Sequence, residues 1–149
     1  MLPIIKKNKR PAPNPRYTGR GHNVETYDPN ESPKAEEWLA TDEDERTAMV
    51  ARWHRRARVR LPNLRMHAII HVIVENQLAL GLEAVVEAET RLRGEGLGRH
   101  EAIHAKGSVV ATDLFERMKA PDKVVAAVAN AAYVEAVKRL TAAGWRASG

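Results

Sequence analysis

The sequence predicts an all-α protein: a single bundle of four to five helices behind a basic N-terminal arm. Three observations support this. No run sustains the two-residue alternation of a strand, apolar residues after Pro33 recur at three- and four-residue spacing, and beyond that point Gly and Pro fall almost only where a connection is needed. Residues 1–33 hold Pro3, Pro11, Pro13, Pro15, Pro29 and Pro33 with Gly19 and Gly21, too many breakers for a helix or an interior strand, so they are expected to be extended and mobile. Residues 34–149 form the expected bundle domain.

A short segment carrying Trp38 and Leu39 should fold over the core. The first long helix should start near Thr41 or Asp42, where a capping residue precedes an acidic turn, and end near Arg58, with Met49, Val50, Trp53 and Ala57 as its apolar stripe. After Pro62-Asn63, a second helix from about Leu64 to Leu80 is apolar nearly all round, which marks it as central. Gly81 stops it, and Leu82 to Arg93 reads as a third helix with Leu82, Val85, Val86 and Leu92 on its core edge. The fourth should run from Arg99 to Lys119 after a glycine-rich turn. The fifth should run from Pro121, a favourable first-turn proline, to about Ala143, ended by Gly144. Connections this short make neighbouring helices antiparallel.

The chain has no cysteine, which excludes disulfides, thiolate ligands and cysteine nucleophiles and fits a reducing cytoplasm. Any metal must therefore sit on nitrogen and oxygen. The N-terminus places an apolar scrap before its charge, the reverse of a secretory signal. No apolar stretch approaches the roughly 20 residues needed to cross a bilayer, so no membrane association is expected.

Six histidines occur, and four fall into two pairs spaced i, i+4: His67 with His71, and His100 with His104. That spacing projects both rings from one helix face, one turn apart, as helices present two nitrogens to one metal. Chain direction tests whether the half-sites meet. The second helix runs up, the third down and the fourth up, so both pairs fall near one end of the bundle. On the fourth helix their face continues through Gly107, Ala111, Leu114 and Met118, read as interior, with the small residues leaving room for imidazoles. On the second helix His67, His71 and Glu75 trace the polar ribbon of an apolar cylinder, and buried ionisable groups need partners. His67, His71, His100 and His104 are thus candidate ligands, with Glu75 as an additional one. His54, near the same end but at the edge of its stripe, is a supporting residue, as are Asn76 and Gln77. Zinc is the first choice of metal, followed by iron, manganese and nickel. The competing reading is that these histidines only satisfy hydrogen bonds in the core.

His100-Glu101-Ala102-Ile103-His104 also matches the His-Glu-x-x-His pattern of zinc peptidases, in which the glutamate activates a water. Its setting is poor: it lies in the first turn of its helix, no strand precedes it and no third ligand follows. If the site is catalytic, metal-assisted hydrolysis with Glu101 as base is the least strained expectation.

The stretch from Met66 through His71 to Glu75-Asn76-Gln77, with Gly-Leu-x-Arg-His-Glu-Ala-Ile-His from Gly96 to His104, resembles a bacterial family of small uncharacterised domains. The resemblance covers about Trp38 to Val110 and implies a shared fold and site but no reaction. Lys106 stands where that pattern has an apolar residue, and is expected to face away from His100 and His104.

Net charge is +5 with a pI near 9.7. Lys6, Lys7, Lys9, Arg10, Arg16 and Arg20 in the arm could neutralise phosphates, which makes nucleic acid the alternative partner. The chain is poor in aromatics to stack on bases. A third class is a docking module that uses the arm or the alanines of the fifth helix, Ala126, Ala127, Ala131 and Ala132.

Overall fold

The computed structural model describes residues 26–119 and 126–149, and every ordered element among them is helical. In chain order these are α1 (Ala35–Ala40), α2 (Glu43–Arg56), α3 (Leu64–Ala79), α4 (Glu83–Gly94), α5 (Arg99–Lys119), α6 (Ala126–Arg139) and α7 (Ala142–Ser148). The all-α expectation holds.

Sequence chemistry fixes most of the boundaries. The Asp42 carboxylate accepts the Asp44 amide to start α2, and the Asn63 side chain accepts the Met66 amide to start α3. Three helices then end in the same way. After α3, Gly81 at φ 70° lets its own amide and that of Leu82 reach back to the carbonyls of Leu78 and Gln77. After α4, Gly96 at φ 101° does the same for the carbonyls of Arg93 and Leu92. After α2 the equivalent left-handed position is held by Arg58 at φ 57°, with amide bonds from Arg58 to Arg55 and from Val59 to His54.

The apolar faces of these helices meet around α3, which packs against α1, α2, α4 and α5. On one side Trp38, Met49, Val50 and Val72 form a core between α1, α2 and α3; on the other Val74, Val85, Ile103, Val110 and Val137 join α3, α4, α5 and α6. Leu92, Leu97, Ala102 and Ala142 close the base. Gly107 permits the close approach of α5 to α3, since a Cβ there would lie 3.1 Å from Ile70 Cγ2. Asn76 ties α1 and α2 to α3 by accepting from Trp38 Nε1 and from Arg46, and Gln77 accepts from the Tyr133 hydroxyl at 2.6 Å. Both amides are packing anchors.

Four expectations are corrected. The fifth helix is two, α6 and α7, because the extended Thr141 caps a new helix by accepting the Gly144 amide, which puts Gly144 inside α7. Side chains of α4 hold this break: Arg91 donates to the carbonyls of Val137 and Leu140, and Glu95 accepts the Ala142 amide. On α4 the core edge is Val85, Ala88 and Leu92, while Leu82 and Val86 stay exposed. On α5 the interior face stops before Met118, which is exposed. Residues 26–33, assigned from sequence to the arm, pack on the bundle with Tyr27 and Pro29 buried. The cationic residues Lys6, Lys7, Lys9, Arg10, Arg16 and Arg20 lie outside the described residues, as do Pro121 and the side chains of Ala126 and Ala127; Ala131 and Ala132 are exposed. Among the described residues no single helix is long and apolar enough to cross a membrane.

A non-glycine residue in the left-handed region is disfavoured by roughly 1–2 kcal/mol. Replacing exposed Arg58 by Gly therefore should raise unfolding stability by about 1 kcal/mol in urea titration. A neutral or negative change would show that the arginine side chain contributes there.

Candidate metal centre

All five histidines among the described residues converge at one end of the bundle. His54 comes from the last turn of α2, His67 and His71 from the first half of α3, and His100 and His104 from the first turns of α5. Ring centroids lie 4.9 Å apart for His67 and His104, 5.2 Å for His71 and His100, and 5.1 Å for His54 and His71. The two half-sites read from the sequence therefore meet.

The set whose ligand atoms all lie within 4.8 Å of one another is His54, His67, His71 and His104. His54 thus joins the proposed ligands rather than supporting them. It lies one turn beyond buried Val50 and is itself fully buried, so the i, i+4 rule applied to Val50 would have placed it inside. His100 stands beside the set, its ring 4.1 Å from that of His104 and packed edge-on against Trp53 at 4.9 Å.

Hydrogen bonds fix which ring nitrogens are free. His54 Nδ1 lies 2.8 Å from the Val50 carbonyl, which can only accept, so Nδ1 carries the proton and Nε2 presents its lone pair. Tyr27 donates its hydroxyl proton to Glu75 Oε1 at 2.7 Å and accepts from His71 Nδ1 at 2.9 Å, which leaves His71 Nε2 unprotonated. The Nε2 atoms of His71, His100 and His104 are buried with no hydrogen-bond partner. His54 Nε2 and His67 Nε2 face each other at 3.1 Å. Imidazoles oriented by a backbone carbonyl or a carboxylate-linked hydroxyl, with the other nitrogen free, are arranged as metal-binding histidines are.

Electrostatics keep these rings neutral. Burial above all, then repulsion from His100, His67 and His54, lowers the His104 pKa to about 3. Burial and the neighbouring His54 and His67 lower that of His100 to about 4, against a small opposing pull from Asp28. His71 falls well below its ordinary value for the same reasons, and burial lowers His54 and His67. Neutral imidazole is the form that ligates a metal.

The carboxylates expected at the site do other work. Glu75 is buried and held by both terminal nitrogens of Arg99, at 2.9 and 2.8 Å, as well as by Tyr27, through which it positions the candidate ligand His71; its oxygens are already engaged. Exposed Glu101 accepts the Gly98 amide at 2.8 Å, the return half of a capping box that starts α5. In the literal peptidase pattern Glu101 therefore serves as a helix-start residue. Lys106, expected to turn away from the histidines, is fully buried and paired with Glu89 of α4. The sequence assigns no role to Tyr27 or Arg99: Tyr27 lies in a proline-rich stretch without periodicity, and an arginine at a helix start reads as surface.

Below pH about 6.5 an unfolded histidine takes up a proton that the folded cluster refuses until about pH 4 for His100 and about 3 for His104. The stability of the metal-free protein is therefore complete above about pH 6.5 and falls as the pH drops through this window. The melting temperature should decline steadily between about pH 6.5 and 5, before carboxylates titrate. A flat profile there would show that the rings are solvated.

Comparison of the chain with protein-family models, curated proteins and solved structures returns no match, so the reading of the site rests on its own geometry.

Proposed function

We propose that this protein binds one divalent transition-metal ion through His54, His67, His71 and His104. The observation that carries the reading is the convergence of four imidazoles from three helices, with His71 Nε2 and His104 Nε2 buried and unpartnered while His54 Nδ1 and His71 Nδ1 are committed elsewhere. A satisfied core histidine uses both nitrogens within the protein or with water, and three orphaned nitrogens side by side are the opposite pattern. The part of the chain that resembles a bacterial domain family carries all four proposed ligands.

An imidazole set suits zinc, copper, iron or nickel, and is least suited to manganese, which prefers oxygen. Zinc remains the first choice because it binds imidazole nitrogen well and brings no redox chemistry.

Metal analysis and zinc titration of protein purified without a histidine tag should give one ion per chain. His71→Ala and His104→Ala should each lose more than the roughly 10- to 100-fold typical of outer-shell substitutions, with circular dichroism unchanged. Protein that binds no metal, or variants that bind as wild type does, would overturn the reading.

Tyr27→Phe removes the hydroxyl between His71 and Glu75 but keeps the ring. Zinc affinity should fall about 10- to 100-fold. An unchanged affinity would show that the hydroxyl does not orient His71.

A further inference from the structure

Beside the histidines lies a cleft of about 220 Å³ between α3 and α5. His67, His71 and His104 form one wall, and Ile70, Ile103 and Ala111 form much of the rest. Gly107 contributes no side chain to it, and Ser108 Oγ is turned onto the Ala105 carbonyl at 2.6 Å, so the cleft away from the imidazoles is apolar. A water takes up about 30 Å³, so the space fits a small organic molecule better than a lone water.

The charge balance around the site selects the molecule. The buried acid Glu75 is matched by Arg99, and half-buried Glu89 by Lys106. Asp28 is exposed and engaged with Asn30 at 2.9 Å, and it does not line the cleft. A divalent ion held by four neutral imidazoles keeps its full charge, with no carboxylate ligand to offset it. Three of the four ligands face the cleft, so an anion entering there approaches the ion directly. We infer that the cleft binds a small organic monoanion, a carboxylate with a short hydrocarbon chain, its oxygen on the metal and its chain between Ile70, Ile103 and Ala111. The inference rests on the metal reading above and adds that the metal keeps a coordination position open to the cleft.

Cobalt(II) serves as the probe, because its visible spectrum reports coordination. The full chain, loaded with cobalt, is titrated separately with sodium acetate and sodium butyrate. Both anions should shift the spectrum and saturate, and butyrate should bind at least about tenfold more tightly, the gain of two buried methylenes. Ala111→Leu, which fills the cleft without touching a ligand, should take up cobalt as wild type does and lose at least about tenfold in butyrate affinity. A cobalt spectrum indifferent to both anions means a closed shell, which overturns the inference and leaves the metal reading standing. Equal affinities with no effect of Ala111→Leu would overturn the apolar part of the site. Failure to take up cobalt, zinc or any other divalent ion would remove both readings together.

Discussion

The ion pair between Glu75 and Arg99 is the constraint on which the rest of this structure depends. Both side chains are almost wholly buried, at 1% and 4% exposure, and the guanidinium grips the carboxylate with both terminal nitrogens. Removing one partner from such a pair typically destabilises by about 3–5 kcal/mol, because the remaining charge is stranded. A hydrophobic replacement of both could be as stable, so the value of the pair lies in register. Glu75 is one turn beyond His71 on α3, and Arg99 directly precedes His100 on α5. Joining them sets the level of one helix against the other, and at that level the two histidine pairs face each other. Pro29 gives its carbonyl to the same guanidinium and Tyr27 its hydroxyl to the same carboxylate, so the segment before α1 is tied into this register as well.

The same pair sorts charge within the bundle. Arg99 and Lys106 lie two turns apart on α5 and take the carboxylates of Glu75 and Glu89 from α3 and α4. Burial alone would discharge both cations. For Arg99, the hydrogen bonds and charge of Glu75 outweigh it and hold the pKa above its ordinary value, whereas for Lys106 burial prevails over Glu89 and the pKa falls. Tyr27, buried against Glu75, is pushed well above its usual range and stays protonated, able to donate to the carboxylate and accept from His71. Negative charge is thereby kept one residue removed from the imidazoles. His71 is thus oriented by an acid it does not touch.

How much of this was legible in the sequence follows from which interactions are local. Helix starts at Asp42 and Asn63 and stops at Gly81 and Gly96 use partners within a few residues, and a reader of the chain can find them. The spacing of His67 with His71 and of His100 with His104 is also local; the two pairs meet at one end, although α4 leaves α3 at 103° and not antiparallel to it as the short connection suggests. Tyr27 to Glu75, Arg91 to Leu140 and Arg99 to Glu75 span dozens of residues, and nothing in the local pattern announces them. His54 was misjudged because the stripe of α2 was drawn through Trp53 and Ala57, whereas the face actually buried runs from Val50 to His54. Glu101 shows the converse: a chemical motif and a local capping interaction both call on the same carboxylate, and the local one is formed.

The orphaned nitrogens connect the fold to the site. A buried polar atom without a partner is unfavourable by about 1–3 kcal/mol, and the cluster holds three of them on His71, His100 and His104. The bundle tolerates this because Trp38, Val50, Val74 and Ile103 bury elsewhere what the histidines cannot contribute. An ion that converted His71 Nε2 and His104 Nε2 into ligands would relieve two of the three deficits at once, and its binding energy would add directly to folding stability. The third, on His100, lies beside the set against Trp53. A site that improves the fold when filled has good reason to be built from residues that weaken it when empty.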